Sequence, residues 1–295
     1  MIKILVIGSQ GQLGTCLMNQ AKNEKNKIIF TNRGDIDMAD KNTINKKLKK
    51  YRPSIVINAS AYTDTDAAEE NSEMAFLINS DGVQALADTC AEINCILIHI
   101  STDFVFDGLS SEPYREDDKT SPINIYGKSK LSGENAIKLS GCKSIIIRTS
   151  WVFSEHGSNF LKTMLRHGSD KNEMRIVDNQ IGCPTYAQDI AKIIFLLISK
   201  LNLDQPYKEI YNYCGDTVCS WYQFATYIFY EANKLGFITP NFISPINSSD
   251  YNRMINVPNY SVLNCSKINN DFSIKQSNLK LAIISSLKAI RRENI

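Results

Sequence analysis

The chain has 295 residues, 43% hydrophobic and 22% charged, with a formal net charge of +2. That length can bury a sizeable core in one large or two modest domains, and the apolar content is ordinary for a soluble globular protein. So small a net charge argues against a nucleic-acid or membrane-surface partner.

The eight cysteines form no C-x-x-C pair and sit mostly in apolar segments. That is the pattern of free thiols in a reducing cytosol, so a cytoplasmic location is expected. His99, His156 and His167 do not cluster with cysteines or carboxylates, and no metal site is expected. The apolar start is too short for a signal peptide, and the longest later apolar run, residues 193–198, is far short of a membrane span.

Residues 2–7 are β-branched residues and leucine, suited to a strand buried on both faces. They run into Gly8-Ser9-Gln10-Gly11-Gln12-Leu13-Gly14, after which Leu13, Leu17, Met18 and Ala21 recur at helical spacing. Strand, glycine turn and helix are the setting that a dinucleotide fingerprint requires. Gly8 permits the tight turn, Gly11 lets backbone N–H groups approach a pyrophosphate, and Gly14 allows close helix–strand packing. The spacing is G-x-x-G-x-x-G rather than G-x-G-x-x-G, and an ordinary βα turn is the plainer alternative. The place at the N-terminus, between strand and helix, favours cofactor binding.

Residues 28–31 read as the second strand. Asn32 and Arg33 follow where a carboxylate would accept from a ribose 2′-OH, and an arginine there can receive a 2′-phosphate. Asp37, in Asp35-Ile36-Asp37-Met38, is placed to line the adenine pocket or to contact the ribose. The expectation is use of both NADPH and NADH, leaning to NADPH. A basic helix over 43–51 leads to a third strand over 53–58, ending in Ala59-Ser60-Ala61-Tyr62-Thr63. Small residues there leave room for a ligand above the sheet. Glu69-Glu70 reads as a solvated helix start. Residues 73–93 form one long helix with Leu77, Val83, Leu86 and Ala87 on its apolar face and Asn79 within it. Residues 96–100 are the fourth strand, in which His99 reads as a satisfied core residue. Ser101-Thr102-Asp103 ends it, where a hydroxyl could hydrogen-bond a substrate carbonyl.

After a polar loop over 107–122 comes the helix that carries Tyr126 and Lys130, with Leu131 and Ala136 toward the core and Glu134 exposed. Residues four apart on a helix share a face. A neighbouring ammonium favours the phenolate and lowers the tyrosine pKa, and such a tyrosine can exchange a proton with an alkoxide or alcohol. The spacing alone is common: Tyr230 and Lys234 repeat it. Only Tyr126 follows a glycine turn and a strand ending in Ser-Thr-Asp. Residues 144–151 are a fifth strand.

Alternation of strand and helix implies an α/β, Rossmann-type doubly wound parallel sheet. The dinucleotide-binding domain is expected over 1–150, with the apolar helix over 186–200 returning to it, and a smaller C-terminal substrate lobe over 151–295. Within that lobe, 159–167 reads as a helix and 174–177 as a short strand.

Together these residues resemble the extended short-chain dehydrogenase/reductase family. More narrowly, Gly8-Ser9-Gln10-Gly11-Gln12-Leu13-Gly14, Asn58-Ala59-Ser60-Ala61-Tyr62-Thr63, Ser101-Thr102-Asp103-Phe104-Val105-Phe106-Asp107-Gly108, Arg148-Thr149-Ser150-Trp151-Val152 and Asp178-Asn179-Gln180-x-Gly182-x-Pro184-Thr185 resemble the dTDP-4-dehydrorhamnose reductase family. The resemblance runs from residue 1 to about 230. It implies reduction of the 4-keto group of dTDP-4-dehydro-L-rhamnose by NADPH or NADH, with Thr102, Tyr126 and Lys130 catalytic. It implies cofactor contacts from Gly8, Gln10, Gly11, Gln12, Leu13, Gly14, Asn32, Arg33, Asp37, Met38, Ala59, Ala61, Tyr62, Thr63, Asn79, Tyr126 and Lys130. Substrate contacts are implied for Thr102, Asp103, Phe104, Trp151 and Asn159.

The chain also departs from the family. Where the family carries Arg-Pro-x-Asn-Ser-x-Leu, this chain reads Val257-Pro258-Asn259-Tyr260-Ser261-Val262-Leu263, which alters sugar-nucleotide binding there. Two glutamate positions that hold Mg²⁺ in some members fall on Cys16 and Gln188, so that metal is not expected. The expected partner is a dTDP-linked deoxy-ketosugar, with a homodimer as an option and neither nucleic acid nor membrane. Alternatives are a reductase or epimerase of another nucleotide-linked deoxysugar, or a non-catalytic relative similar to the regulatory subunit of methionine adenosyltransferase. The intact Thr102, Tyr126 and Lys130 argue against the last.

Overall fold

The computed structural model describes residues 2–250 and 255–293. Short apolar stretches form the strands β1 (Lys3–Ile7), β2 (Lys27–Thr31), β3 (Ile55–Asn58), β4 (Ile96–Thr102) and β5 (Lys143–Thr149). With the edge strand Lys208–Asn212 they make one six-stranded sheet in the order Lys208–Asn212, β5, β4, β3, β1, β2. Every pairing is parallel. β1 has β2 on one side and β3 on the other, so the strand order reverses there. The crevice beyond the C-terminal ends of β1 and β3 is where such sheets bind ligands.

Alternation along the strands feeds two cores. Ile4, Val6, Ile57 and Ile98 pack with Leu13 and Leu17 of α1 (Gln12–Ala21) and with Ile190 and Ile194 of the helix Ala187–Lys200. Leu5, Ile7, Val56 and Leu97 face the other way, onto Ile44 and Leu48 of α2 (Lys41–Tyr51) and onto Val83 and Leu86. Strands buried on both faces need side chains apolar in both phases, which these sequences supply.

A third core, around Phe153, Leu161, Phe224, Ile228 and Ile283, holds the helices Phe160–Asp170, Trp221–Lys234 and Leu279–Glu293 together. Beside it Glu173–Val177 pairs in parallel with Phe242–Ile246. Among the described residues no helix is long and apolar enough to cross a membrane.

Two sequence expectations change. The single helix over 73–93 is three pieces: Ser72–Phe76, a π turn over Leu77–Asp81, and Gly82–Glu92. The range assigned to the substrate lobe also contributes the edge strand Lys208–Asn212 to the main sheet.

Candidate active site

A cleft of roughly 2430 Å³ opens above the C-terminal ends of the strands. That is more than twice a large small-molecule site, as a dinucleotide and a second ligand together would need. Its floor is the glycine turn. Gly8 adopts φ +86, and a Cβ there would lie 2.8 Å from the Ser60 nitrogen. A Cβ on Gly14 would lie 2.1 Å from the Gly8 carbonyl oxygen, so α1 sits directly on the turn. Gly11 caps α1 without a side-chain hydrogen bond, leaving that helix end to the cleft.

Gly8, Gln10, Gly11, Gln12, Leu13, Asn32, Arg33, Asp37, Met38, Ala59, Ala61 and Thr63 all line this cleft. The Arg33 side chain is 73% exposed, and its Nε donates to Asp37 Oδ2 at 3.4 Å. Asn32 Oδ1 accepts from the Gly34 N–H at 2.8 Å and so shapes the turn that carries the arginine.

Tyr62 and Asn79 are not in the cleft wall. Asn79 is buried, accepts from the Tyr62 N–H at 2.8 Å, and donates to the Tyr62 carbonyl at 3.0 Å and to Ser129 Oγ at 3.0 Å. It ties the loop after β3 to the helix Ile125–Leu139.

That helix brings Tyr126 and Lys130 to the cleft beside Thr102, Asp103 and Phe104. Asn124 caps it, accepting from the Gly127 N–H at 2.8 Å. Thr102 Oγ1 donates to Asp103 Oδ1 at 3.1 Å and accepts from the Phe104 N–H at 3.2 Å. The other Asp103 carboxylate oxygen, Oδ2, is buried without a hydrogen-bond partner. Burial pushes Asp103 up to about 7, against hydrogen bonds from Ser261 and Thr102.

The tuning of Tyr126 differs from expectation. Part of the residue faces the cleft, yet the packing around it pushes the phenol up to about 12, with Thr102 opposing and Asp103 adding to the rise. Lys130 does not lower it. The amine instead donates to the Ile100 carbonyl at 2.7 Å and lies 3.3 Å from His99 Nε2. Burial brings Lys130 itself down to about 8, and the Glu134 charge opposes that fall. His99 is buried and hydrogen-bonded, as a core histidine should be: Asn58 Nδ2 lies 3.1 Å from its Nδ1, and its Nε2 side lies against the site lysine.

Glu134, expected on the surface, is fully buried. It holds Arg148 in a two-pronged pair, Nε to Oε1 at 2.9 Å and Nη2 to Oε2 at 2.7 Å, and accepts from Ser101 Oγ at 2.7 Å. A carboxylate tolerates that depth because both oxygens meet donors. Tyr230 and Lys234, the matched pair, lie on the surface, with the ammonium 3.8 Å from the ring centroid.

On the far wall Trp151 stacks on Trp221 at 3.5 Å between centroids. Trp151 has φ +47, and a Cβ on Gly182 would come within 2.4 Å of its indole, which accounts for the glycine in Gln180-x-Gly182. Asn159 lines the cleft, but its amide is committed. Nδ2 donates to Gln12 Oε1 at 2.7 Å and to the Ser154 and His156 carbonyls, and Oδ1 caps the next helix through the Lys162 N–H. The segment over 257–263 is held through backbone: the Ile181 N–H donates to the Asn259 carbonyl, and the Ser261 N–H to the Ile181 carbonyl. Val257 and Asn259 face the cleft there.

Residues 2–292 match the family described as RmlD substrate binding domain. The chain belongs to that family. It is 37% identical over 287 residues to a dTDP-4-dehydrorhamnose reductase of Aggregatibacter actinomycetemcomitans, covering 96% of this chain and 97% of the relative. It is 40% identical over 263 residues to the spore coat polysaccharide biosynthesis protein SpsK of Bacillus subtilis, covering 89% of each. The structure of a Bacillus anthracis dTDP-4-dehydrorhamnose reductase in complex with NADP superposes with a TM-score of 0.90 at 30% identity, covering 98% of this chain and 99% of that one.

Within the RmlD framework the sequence reading missed Ser60, Ser101, Glu134, Arg148 and Trp221. Ser60, Ser101 and Arg148 stood within the family motifs, and Glu134 stands four residues after Lys130, on the same helical face.

Proposed function

We propose that this chain reduces the 4-keto group of dTDP-4-dehydro-L-rhamnose to dTDP-L-rhamnose, using NADPH or NADH. The observation that carries the proposal is the convergence of Thr102, Tyr126 and Lys130 above the Gly8–Gly14 turn. The turn fits a dinucleotide: any side chain at Gly14 would fill the space where α1 meets it, and the α1 N-terminus favours phosphate. The bound cofactor supplies the hydride.

The chain supplies the remainder. Tyr126 holds its proton at neutral pH, because burial disfavours the phenolate, and gives it to the C4 oxygen as negative charge develops there. Thr102 orients that carbonyl by turning its one hydroxyl hydrogen from Asp103 Oδ1 to the C4 oxygen. Lys130 holds the cofactor ribose. Trp151, held between Trp221 and Gly182, offers the deoxysugar the edge of its indole that lines the cleft. Gln12 and Asn159 join the glycine turn to the lobe rather than reading the sugar. The location assigned is the cytoplasm, since all eight thiols are free and buried.

The test is NADPH oxidation by the purified chain with dTDP-4-dehydro-L-rhamnose and a panel of other nucleotide-linked 4-ketosugars. Turnover at least about tenfold higher in kcat/KM with the rhamnose precursor is expected. A stronger preference for another ketosugar would assign the altered segment over 257–263 a different specificity. No turnover with any of them would sink the proposal.

A further inference from the structure

Beneath the reacting groups, Ser60, Asn58, His99 and Lys130 form one continuous chain of buried or half-buried polar contacts. Ser60 donates to Asn58 Oδ1 twice, through its hydroxyl at 2.6 Å and its backbone N–H at 3.1 Å. A backbone N–H can only donate, so the Asn58 oxygen faces Ser60 and its NH₂ faces His99. Asn58 Nδ2 lies 3.1 Å from His99 Nδ1, and an amide NH₂ can only donate, so Nδ1 accepts. Burial first, and the Lys130 charge next, hold His99 well below the usual histidine range, so the ring is neutral. A neutral imidazole whose Nδ1 accepts carries its hydrogen on Nε2.

That hydrogen faces Lys130 Nζ, 3.3 Å from Nε2. An ammonium has three hydrogens, and the Ile100 carbonyl takes one at 2.7 Å. In the other tautomer Nε2 would accept a second and hold the amine against β4. In the tautomer that Asn58 enforces, the ring offers the ammonium nothing to bond. Two N–H groups are left for the cleft. The other charges nearby do not change this count: Glu134, on the same helix, favours the ammonium, and Asp103 acts on Tyr126.

We propose that His99 is a positioning residue for the reduction: Asn58 and Ser60 lock its Nε2–H tautomer, and that tautomer turns two of the three Lys130 N–H bonds toward the hydroxyls of the cofactor ribose. The inference rests on the reductase reading, in which Lys130 holds that ribose.

The chain has three histidines, so ¹⁵N-histidine labelling can resolve all of them. One, assigned by its loss in His99→Gln, should show the neutral Nε2–H pattern and stay neutral as the pH falls through the ordinary histidine value. An Nδ1–H pattern, or titration near the ordinary histidine value, overturns the lock. Asn58→Asp keeps an acceptor for Ser60 but presents an oxygen to Nδ1, which inverts the tautomer. The NADPH dissociation constant should then rise about tenfold, the loss of one charge-assisted hydrogen bond, with the KM for ketosugar little changed. An inverted tautomer with unchanged NADPH affinity overturns the positioning role. Should Asn58→Asp not fold, the spectrum of the unmodified chain still decides the lock on which that role depends. Absence of ketosugar reduction by the unmodified chain would instead sink the reductase reading and leave the tautomer result standing, so the two failures are distinguishable.

Discussion

At the cleft, burial acts on a phenol and an amine in opposite directions. Tyr126 is pushed up to about 12 and Lys130 down to about 8. The phenol therefore stays protonated at neutral pH, the form that a ketone reduction needs. Tyr126→Phe removes that proton, and turnover should fall by about two to four decades with NADPH affinity unchanged; near-normal turnover would show that another group is the acid. The tyrosine–lysine spacing was legible in the sequence. The sign of the tuning was not, because it depends on the packing around the phenol and on Lys130 bonding to the Ile100 carbonyl rather than to the phenol. Arg33 was legible in the same limited way. Its position after β2 is as expected, but Asp37 accepts from its Nε and the side chain is largely exposed. A shared, solvated guanidinium discriminates weakly, so Arg33→Ala should lower the NADPH:NADH ratio of kcat/KM by about one decade or less. A ratio that does not move would show that Arg33 does not read the 2′-phosphate.

Between elements, the helix Ile125–Leu139, which carries Tyr126 and Lys130, is set by how closely it approaches the π turn Leu77–Asp81. A Cβ on Gly133 would lie 2.1 Å from the Asn79 carbonyl oxygen, and that carbonyl is backbone that cannot rotate away. Alanine gains about 1 kcal/mol over glycine in a helix, while overpacking costs about 1–3 kcal/mol and sometimes more. An approach this close lies at the upper end, so Gly133→Ala should lose about 2 kcal/mol in urea unfolding and displace Tyr126 with its helix. A variant as stable as the parent would mean that the two helices can separate freely. Apolar periodicity announced a helix over 73–93, but a single extra residue shifts the phase only once, and a pattern read over the whole segment does not locate the π turn. Glu134 misled for a related reason. Its partner Arg148 is fourteen positions away, on β5, and only the folding of helix onto sheet brings the two together.

Over the whole molecule, the doubly wound sheet was legible because β1, β3 and β4 are continuous apolar runs, while the edge strand Lys208–Asn212 was not. Lys-Glu-Ile-Tyr-Asn is half polar, as suits a strand with one open side, and it reads as loop until β5 is there to pair with it. The cleft that this sheet builds carries ionisable groups whose burial opposes folding, and the balance shifts with pH. Asp103 is 2% exposed, and its pKa is about 7 in the fold against an ordinary 3.8. Between those values the folded chain binds more protons than the unfolded one, so this group's contribution to stability falls as pH rises through that window. Below it the carboxyl is neutral in both states and costs nothing. Above it the buried charge costs a few kcal/mol, at about 1.4 kcal/mol per pKa unit. Asparagine keeps the oxygen that accepts from Thr102 and has no charge to bury. Asp103→Asn should therefore be more stable than the parent at about pH 8, with the gain shrinking to near zero by about pH 4. Urea midpoints across that range decide it: a gain that is constant with pH, or one that grows toward acid, would mean that Asp103 is not a carboxylate held in the fold against its own desolvation.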